Sequence, residues 1–169
     1  MLNFVIQIVG IAGMILLAMC FQARIKKKTL ILKFLADIAW GIHYFLLGGF
    51  SGVLLNAVSA TRETVFYFDE NQKRRKVWLI VFVGINWTFG MLMMKEFYNL
   101  LPMVCSAVAT YSFWQNNLKV TRILALFNAV MMFTYDIFLL SYVGMVSESI
   151  TMISVIIALY RYRKKDCLN

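Results

Sequence analysis

The chain has 169 residues, of which 62% are hydrophobic and only 15% charged, with one proline and a formal net charge of +9. A soluble domain has roughly half its residues apolar and about a quarter charged, so this composition excludes an ordinary water-soluble globule and implies a bilayer core. The basic residues sit at the ends of apolar runs, not in a basic domain, which reads as membrane topology signalling and not as a nucleic-acid surface.

A spanning helix needs ~20 mostly apolar residues. Taken in chain order, the runs predict seven spans: 2–21, 30–49, 51–68, 77–94, 98–115, 122–141 and 144–162. Stretches such as Ile15-Leu16-Leu17-Ala18-Met19 lack the apolar–polar alternation of barrel strands. In hydrocarbon each backbone N–H and C=O must be satisfied within its own segment, which such runs do as helices. The first run has no basic residue before it and a basic cluster after it, the reverse of a cleaved signal, so it is expected to be a span.

Cytoplasmic loops are enriched in Lys and Arg. Arg24, Lys26, Lys27 and Lys28 follow the first span, none follows the second, and Lys73, Arg74, Arg75 and Lys76 follow the third. Lys95, beside Glu96, follows the fourth, Lys119 and Arg122 the fifth, none the sixth, and Arg161, Arg163, Lys164 and Lys165 the seventh. This alternation predicts an outside N-terminus and a cytoplasmic C-terminus.

A shift of 93 residues places Phe21-Gln22 on Trp114-Gln115, Lys26 on Lys119, Ala36 on Ala129, and Phe45-Leu46-Leu47 on Phe138-Leu139-Leu140. One deletion then places Gly52 on Gly144. Each half reads as span, basic loop, span, short uncharged turn, span. The expected fold is therefore an all-α membrane protein in a 3+1+3 arrangement: a first triplet (1–76), a linker helix (77–97) and a second triplet with a basic tail (98–169). An odd linker makes the triplets parallel repeats about an axis along the membrane normal.

This layout resembles the family of SWEET and SemiSWEET sugar transporters, PQ-loop proteins and PnuC vitamin transporters. Gly41-Ile42-His43-Tyr44-Phe45-Leu46-Leu47-Gly48, Leu54-Leu55-Asn56-Ala57, and Glu148 after the turn at Gly144 resemble the YgjV family of bacterial inner-membrane proteins, over about residues 10–164. The resemblance implies a multi-pass protein of the bacterial inner membrane. Prolines that recur in the first and second helices of SWEET-like triplets are missing here. Only Pro102 is present, and Gln22 and Gln115 lack a preceding proline.

Ionisable groups inside spans are expensive and face a cavity or a partner. Asp37 is expected either to pair with Lys33, one turn earlier, or to contact solute. Trp40 shares its face and would suit a sugar or cationic ring, or plain packing. His43, a side chain able to exchange protons near neutral pH, and Asp136, placed opposite it by the repeat, are candidates for gating or proton exchange. In SWEET-like proteins the third helix of each triplet carries polar substrate-contacting residues, often asparagines. That resemblance implies Asn56 and Glu148 as substrate-binding candidates, with Ser59, Ser147 and Ser149 as lesser ones. Glu148 also reads as a helix-start carboxylate. Asn128 and Tyr135, seven residues apart on one face of the sixth span, are expected to line the cavity, with Asn128 a further substrate-binding candidate. Arg62 and Glu63 are expected to snorkel or pair near the interface, and Asn86 and Trp87 to pack the linker helix.

Nothing resembles a catalytic set such as a P-loop, HExxH, GxSxG or CxxC, so no enzyme activity is expected. Cys20, Cys105 and Cys167 have neither disulfide nor metal spacing, and no cofactor or metal is expected. The expected partners are the lipid bilayer and an unidentified small solute. The predicted function is a small-solute transporter, either a facilitator or proton-coupled, with a central cavity between the triplets. The alternative is a non-transporting receptor, sorting or scaffold protein of the same fold. Substrate identity and oligomeric state stay open.

Overall fold

The computed structural model describes residues 2–48, 50–69, 71–93, 97, 100–138 and 140–166. The expected span ends at 49, 94 and 98, together with Lys95, Glu96, Leu139 and Cys167 and the side chains of Arg163, Lys164 and Lys165, lie outside what is described. Among the described residues are seven α-helices: α1 (Leu2–Gln22), α2 (Lys26–Leu46), α3 (Phe50–Phe68), α4 (Gln72–Met93), α5 (Leu100–Trp114), α6 (Leu118–Phe138) and α7 (Tyr142–Asp166).

Among the described residues, four stretches are long and apolar enough to cross a membrane: Phe4–Gln22, Lys26–Leu46, Leu118–Phe138 and Gly144–Arg161. The other three helices are more polar, or shorter in their described part. α3 carries Arg62 and Glu63 within a polar run, and α4 opens on Lys73, Arg74, Arg75 and Lys76. The described part of α5, Leu100–Trp114, has 15 residues.

The distribution of polarity is the reverse of a soluble protein. Phe4, Ile8, Ile11, Ile15 and Met19 form an exposed stripe along α1, while Asp37, Arg62, Glu63, Arg122 and Asp136 are buried. A large exposed apolar face together with buried charge is the informative combination, and a lipid environment accounts for both.

The chain divides into two compact units, Met1–Gln72 and Lys73–Asn169. In the first, α2 packs against both α1 and α3. Glycines allow the close approach. A Cβ on Gly13 would lie 3.1 Å from Trp40 Nε1, one on Gly10 would lie 3.0 Å from the His43 ring, and one on Gly52 would lie 2.6 Å from Tyr44 Cγ. The α1–α2 connection is fastened by Cys20 Sγ donating to the Thr29 carbonyl (3.4 Å), and Thr29 Oγ1 donates in turn to the Ile25 carbonyl (3.2 Å).

In the second unit, α6 packs against α5 and α7. Ser112 Oγ donates to the Thr121 carbonyl (3.2 Å), and Thr121 Oγ1 donates to the Ser112 carbonyl (3.0 Å). Asn117 caps α6 by accepting the Lys119 N–H (2.9 Å). Arg75, at the start of α4, donates to Asn116 Oδ1 (2.9 Å) and to the Trp114 carbonyl.

The boundaries of α2 and α6 recur 92 residues apart, as do the end of α1 and the end of α5, and the first residues of α3 and α7. So do two backbone positions with positive φ, Gly48 at 76° and Leu140 at 53°. At this spacing Phe21, Lys27, Thr29, Ile31 and Leu32 fall on Phe113, Lys119, Thr121, Ile123 and Leu124, identical at all five. The offset of 93 expected from the sequence is thus one residue too long before the Gly52–Gly144 pair. It followed apolar letters, which match by chance in so hydrophobic a chain, whereas the connections fix the true spacing. The correction pairs Asp136 with Tyr44 and His43 with Tyr135, and leaves Gln115 opposite Ala23.

Candidate functional site

Each unit holds a set of polar side chains among its apolar helices. In the first, Lys33 Nζ binds Asp37 Oδ1 one turn along α2, the ion pair expected from the spacing. On α3, Arg62 donates from Nε (3.2 Å) and Nη2 (2.7 Å) to Glu63 Oε1. Arg62 is 3% and Glu63 1% exposed, so this is a buried pair and not a snorkelling one. Lys33, Arg62 and Glu63 all lie within electrostatic reach of Asp37. Two cations and two carboxylates make the cluster formally neutral, the condition under which buried charge is tolerated. Asp37 Oδ2 and Glu63 Oε2 are buried without a hydrogen-bond partner.

Beside this cluster, α2 and α3 enclose a groove of about 380 Å³ lined by Leu30, Phe34, Leu35, Glu63, Thr64 and Tyr67 among others. Its volume falls within the range of small-molecule sites. The sequence reading missed it because helix spacing shows Glu63 and Tyr67 one turn apart but not which α2 residues stand opposite them.

Trp40 and His43, proposed from sequence as solute and gating residues, come together with Tyr44. The Trp40 and His43 rings meet edge-on at 5.4 Å, and Trp40 stacks on Tyr44 at 5.9 Å. His43 Nδ1 lies 2.9 Å from the Ile6 carbonyl. All three rings are engaged with glycines of α1 or α3. Asn56 is half-buried, and its Nδ2 donates to the Gly52 carbonyl (2.7 Å), which holds the amide along its own helix. Ser59 is half-buried on the same helix.

In the second unit, Asp136 is 8% exposed, and its carboxylate lies over Gly144. Glu148, one turn farther along α7, is half-buried and within electrostatic reach of Asp136. α7 begins at Tyr142 and has no acidic residue in its first turn. Glu148 therefore lies beyond the turn in which the helix dipole favours acids, and the helix-start reading of it fails. Asn128 Oδ1 is buried without a hydrogen-bond partner, and its carbonyl receives Cys105 Sγ at 3.8 Å. Ser147 is half-buried, and Ser149 Oγ donates to the Met145 carbonyl (2.7 Å). On α4, Asn86 is buried and Trp87 is 38% exposed. Among the described residues no group of three or more His, Cys, Asp or Glu side chains is placed to hold a metal.

Residues 4–166 match the family model Imp-YgjV, described as a bacterial inner membrane protein. The chain belongs to this family. The match spans both units and every candidate residue above. Membership in the YgjV family accounts for the exposed apolar stripes and gives the buried charges an inner-membrane setting. No curated protein and no solved structure matches the chain.

Proposed function

We propose that this YgjV-family protein is a small-solute transporter, a facilitator or a proton-coupled carrier. Its seven helices all span the membrane as a parallel 3+1+3 repeat of the SWEET type. The N-terminus is outside and the C-terminus cytoplasmic. The observation that carries this reading is the recurrence at 92 residues of helix ends, positive-φ turns and helix-joining hydrogen bonds. Internal repeats of this kind are the building plan of many transporters. The alternation of basic loops supports the orientation.

Asn56 and Glu148 stand 92 residues apart, six residues after the first residues of α3 and α7, and are the main solute-contacting residues. Asp37, Trp40 and Asn128 supply further contacts. His43 and Asp136 act as gating or proton-exchange groups, each within its own unit. Intramembrane ionisable residues favour such roles because an apolar residue would be less costly in a purely structural one.

A receptor, sorting or scaffold role is the second reading. It is favoured by the packing of Trp40, His43 and Tyr44 against glycines, which uses these rings as structural fillers. Fold alone does not choose between the two. Thermal stabilisation of the purified protein against sugars, vitamins and amino acids does. A ligand bound only by the native state raises the melting temperature. A hit abolished in the Asn56→Ala/Glu148→Gln double variant supports transport, and a panel without hits supports the second reading.

A further inference from the structure

We infer that the loop end of the α2–α3 groove is a site for an anionic phospholipid, with its phosphate held by Lys27 and Lys28 and one acyl chain lying along Ile31, Phe34 and Leu35. The inference rests on α2 crossing the membrane and is independent of the transport reading.

The helix period puts the lysines at the mouth of the groove. Lys27 stands three, four, seven and eight residues before Leu30, Ile31, Phe34 and Leu35, which all line it. On a helix these positions share one face. Lys28 stands three and seven residues before Ile31 and Leu35. On the α3 side, Lys27 Nζ lies 5.7 Å from the centre of the Tyr67 ring, and Tyr67 lines the groove as well. That is a cation–π distance, and it holds the ammonium at the end of the groove. Lys27, Lys28 and Arg24 are exposed. So are Ile31 and Leu35, which leave the apolar wall open along its side.

Charge complementarity decides the head group. The α1–α2 connection and the first turn of α2 carry Arg24, Lys26, Lys27 and Lys28, whereas the sequence after α3 has two acids, Asp69 and Glu70. Asp69 is half-buried and accepts the Asn71 N–H (3.0 Å). Glu63, the carboxylate on the groove wall, is buried and neutralised by Arg62 (2.7 Å), so it does not repel an anion. An excess of cations beside an open apolar wall fits an amphiphile with an anionic head, and a zwitterionic head gains less there. Depth agrees. α2 has 21 residues, about 32 Å at 1.5 Å per residue, close to a hydrocarbon core of about 30 Å. A spanning α2 therefore brings its lysine-rich first turn to the level of the lipid phosphates. Leu35 lies eight residues past Lys27, about 12 Å deeper, in the acyl region.

The test uses the full chain in nanodiscs and two phospholipids with the same photoreactive acyl chain, a phosphatidylglycerol and a phosphatidylcholine, each as a minor component of a phosphatidylcholine bilayer. Crosslinked peptides are mapped by mass spectrometry. Both lipids are expected to label the exposed α1 stripe from Ile8 to Met19 equally. Residues 30–35 and 64–68 are expected to take the glycerol lipid about 25-fold more than the choline lipid, since each of two lysines contributes ~1 kcal/mol, about fivefold. Lys27→Gln/Lys28→Gln is expected to remove that preference, and Lys27→Arg/Lys28→Arg to retain it. Both lysines stand in the first turn of α2, where the helix dipole disfavours cations, so the melting temperature is expected to be kept. Equal labelling of the groove by the two lipids would show mere apolar filling and overturn the inference. An equal loss in Lys73→Gln/Arg74→Gln would show diffuse surface attraction, and displacement by soluble glycerol phosphate would show a site for a free anion; each overturns it. Labelling of the α1 stripe without the groove would overturn the site alone, and labelling of neither would overturn the membrane setting with it.

Discussion

The carboxylate of Asp136 occupies the space that a Cβ at position 144 would need, so a glycine there lets α7 lie this close to α6. The Tyr44 ring bears the same relation to Gly52 in the first unit, with a Cβ there 2.6 Å from Cγ. Both glycines follow short turns, and they are 92 residues apart. Gly84, on α4, has nothing within 4 Å of a built Cβ. Gly144→Ala and Gly52→Ala are therefore expected to destabilise by about 1–3 kcal/mol through overpacking. Gly84→Ala is expected to stabilise by about 0.5–1 kcal/mol through helix propensity. Melting curves in one detergent measure all three, and equal effects at positions 52 and 84 would contradict the packing described.

Leu140 ends α6 in the left-handed region at φ 53°, where the equivalent turn after α2 has Gly48. Its N–H donates to the Ile137 carbonyl and the Ser141 N–H to the Asp136 carbonyl, the bonding of a glycine-type helix end. Leu140 is 71% exposed, so little packing is lost with its side chain. Leu140→Gly is expected to raise stability by about 1 kcal/mol and Gly48→Leu to lower it by a similar amount. A lower melting temperature for Leu140→Gly would contradict the strain at this turn.

Asn117 caps α6, but the residue 92 positions earlier, Ile25, makes no side-chain cap for α2. Ile25 is extended and 64% exposed. Ile25→Asn is expected to add about 0.5–2 kcal/mol, read as a higher melting temperature, while Asn117→Ala loses a similar amount. No gain at position 25 would argue against the helix start at Lys26.

Lys33 and Asp37 form a pair in which the carboxylate is 5% exposed. Lys33→Met leaves that charge uncompensated and is expected to cost about 3–5 kcal/mol, while Lys33→Met/Asp37→Leu recovers most of the loss. Expression level and melting temperature of Lys33→Met, Asp37→Leu and the double variant give the coupling. If Lys33→Met and the double variant are equally unstable, the pair does not carry the effect.

The helices were legible in the sequence because long apolar runs between basic loops leave the backbone few alternatives. Their ends were less so. α2 starts at Lys26, four residues before the expected span, because its first turn is basic and amphipathic and hydropathy does not register it. The Lys33–Asp37 pair was legible because it lies within one helix turn. The groove and the Ser112–Thr121 exchange depend on which helix faces are opposed, which spacing along one helix does not specify. The repeat was visible but one residue out, because identity among Leu, Phe and Ala carries little information. The fixed points, Thr29 with Thr121 and Gly48 with Leu140, emerge from hydrogen bonds and backbone angles.

Solute uptake into proteoliposomes tests the central claim most directly. Wild type and the Asn56→Ala/Glu148→Gln variant would be reconstituted at matched levels and assayed with labelled sugars, vitamins and amino acids, with and without a proton gradient. Transport predicts saturable uptake of at least one class by wild type and its loss in the variant. Uptake no greater than in empty vesicles for every solute, with or without the gradient, would contradict it.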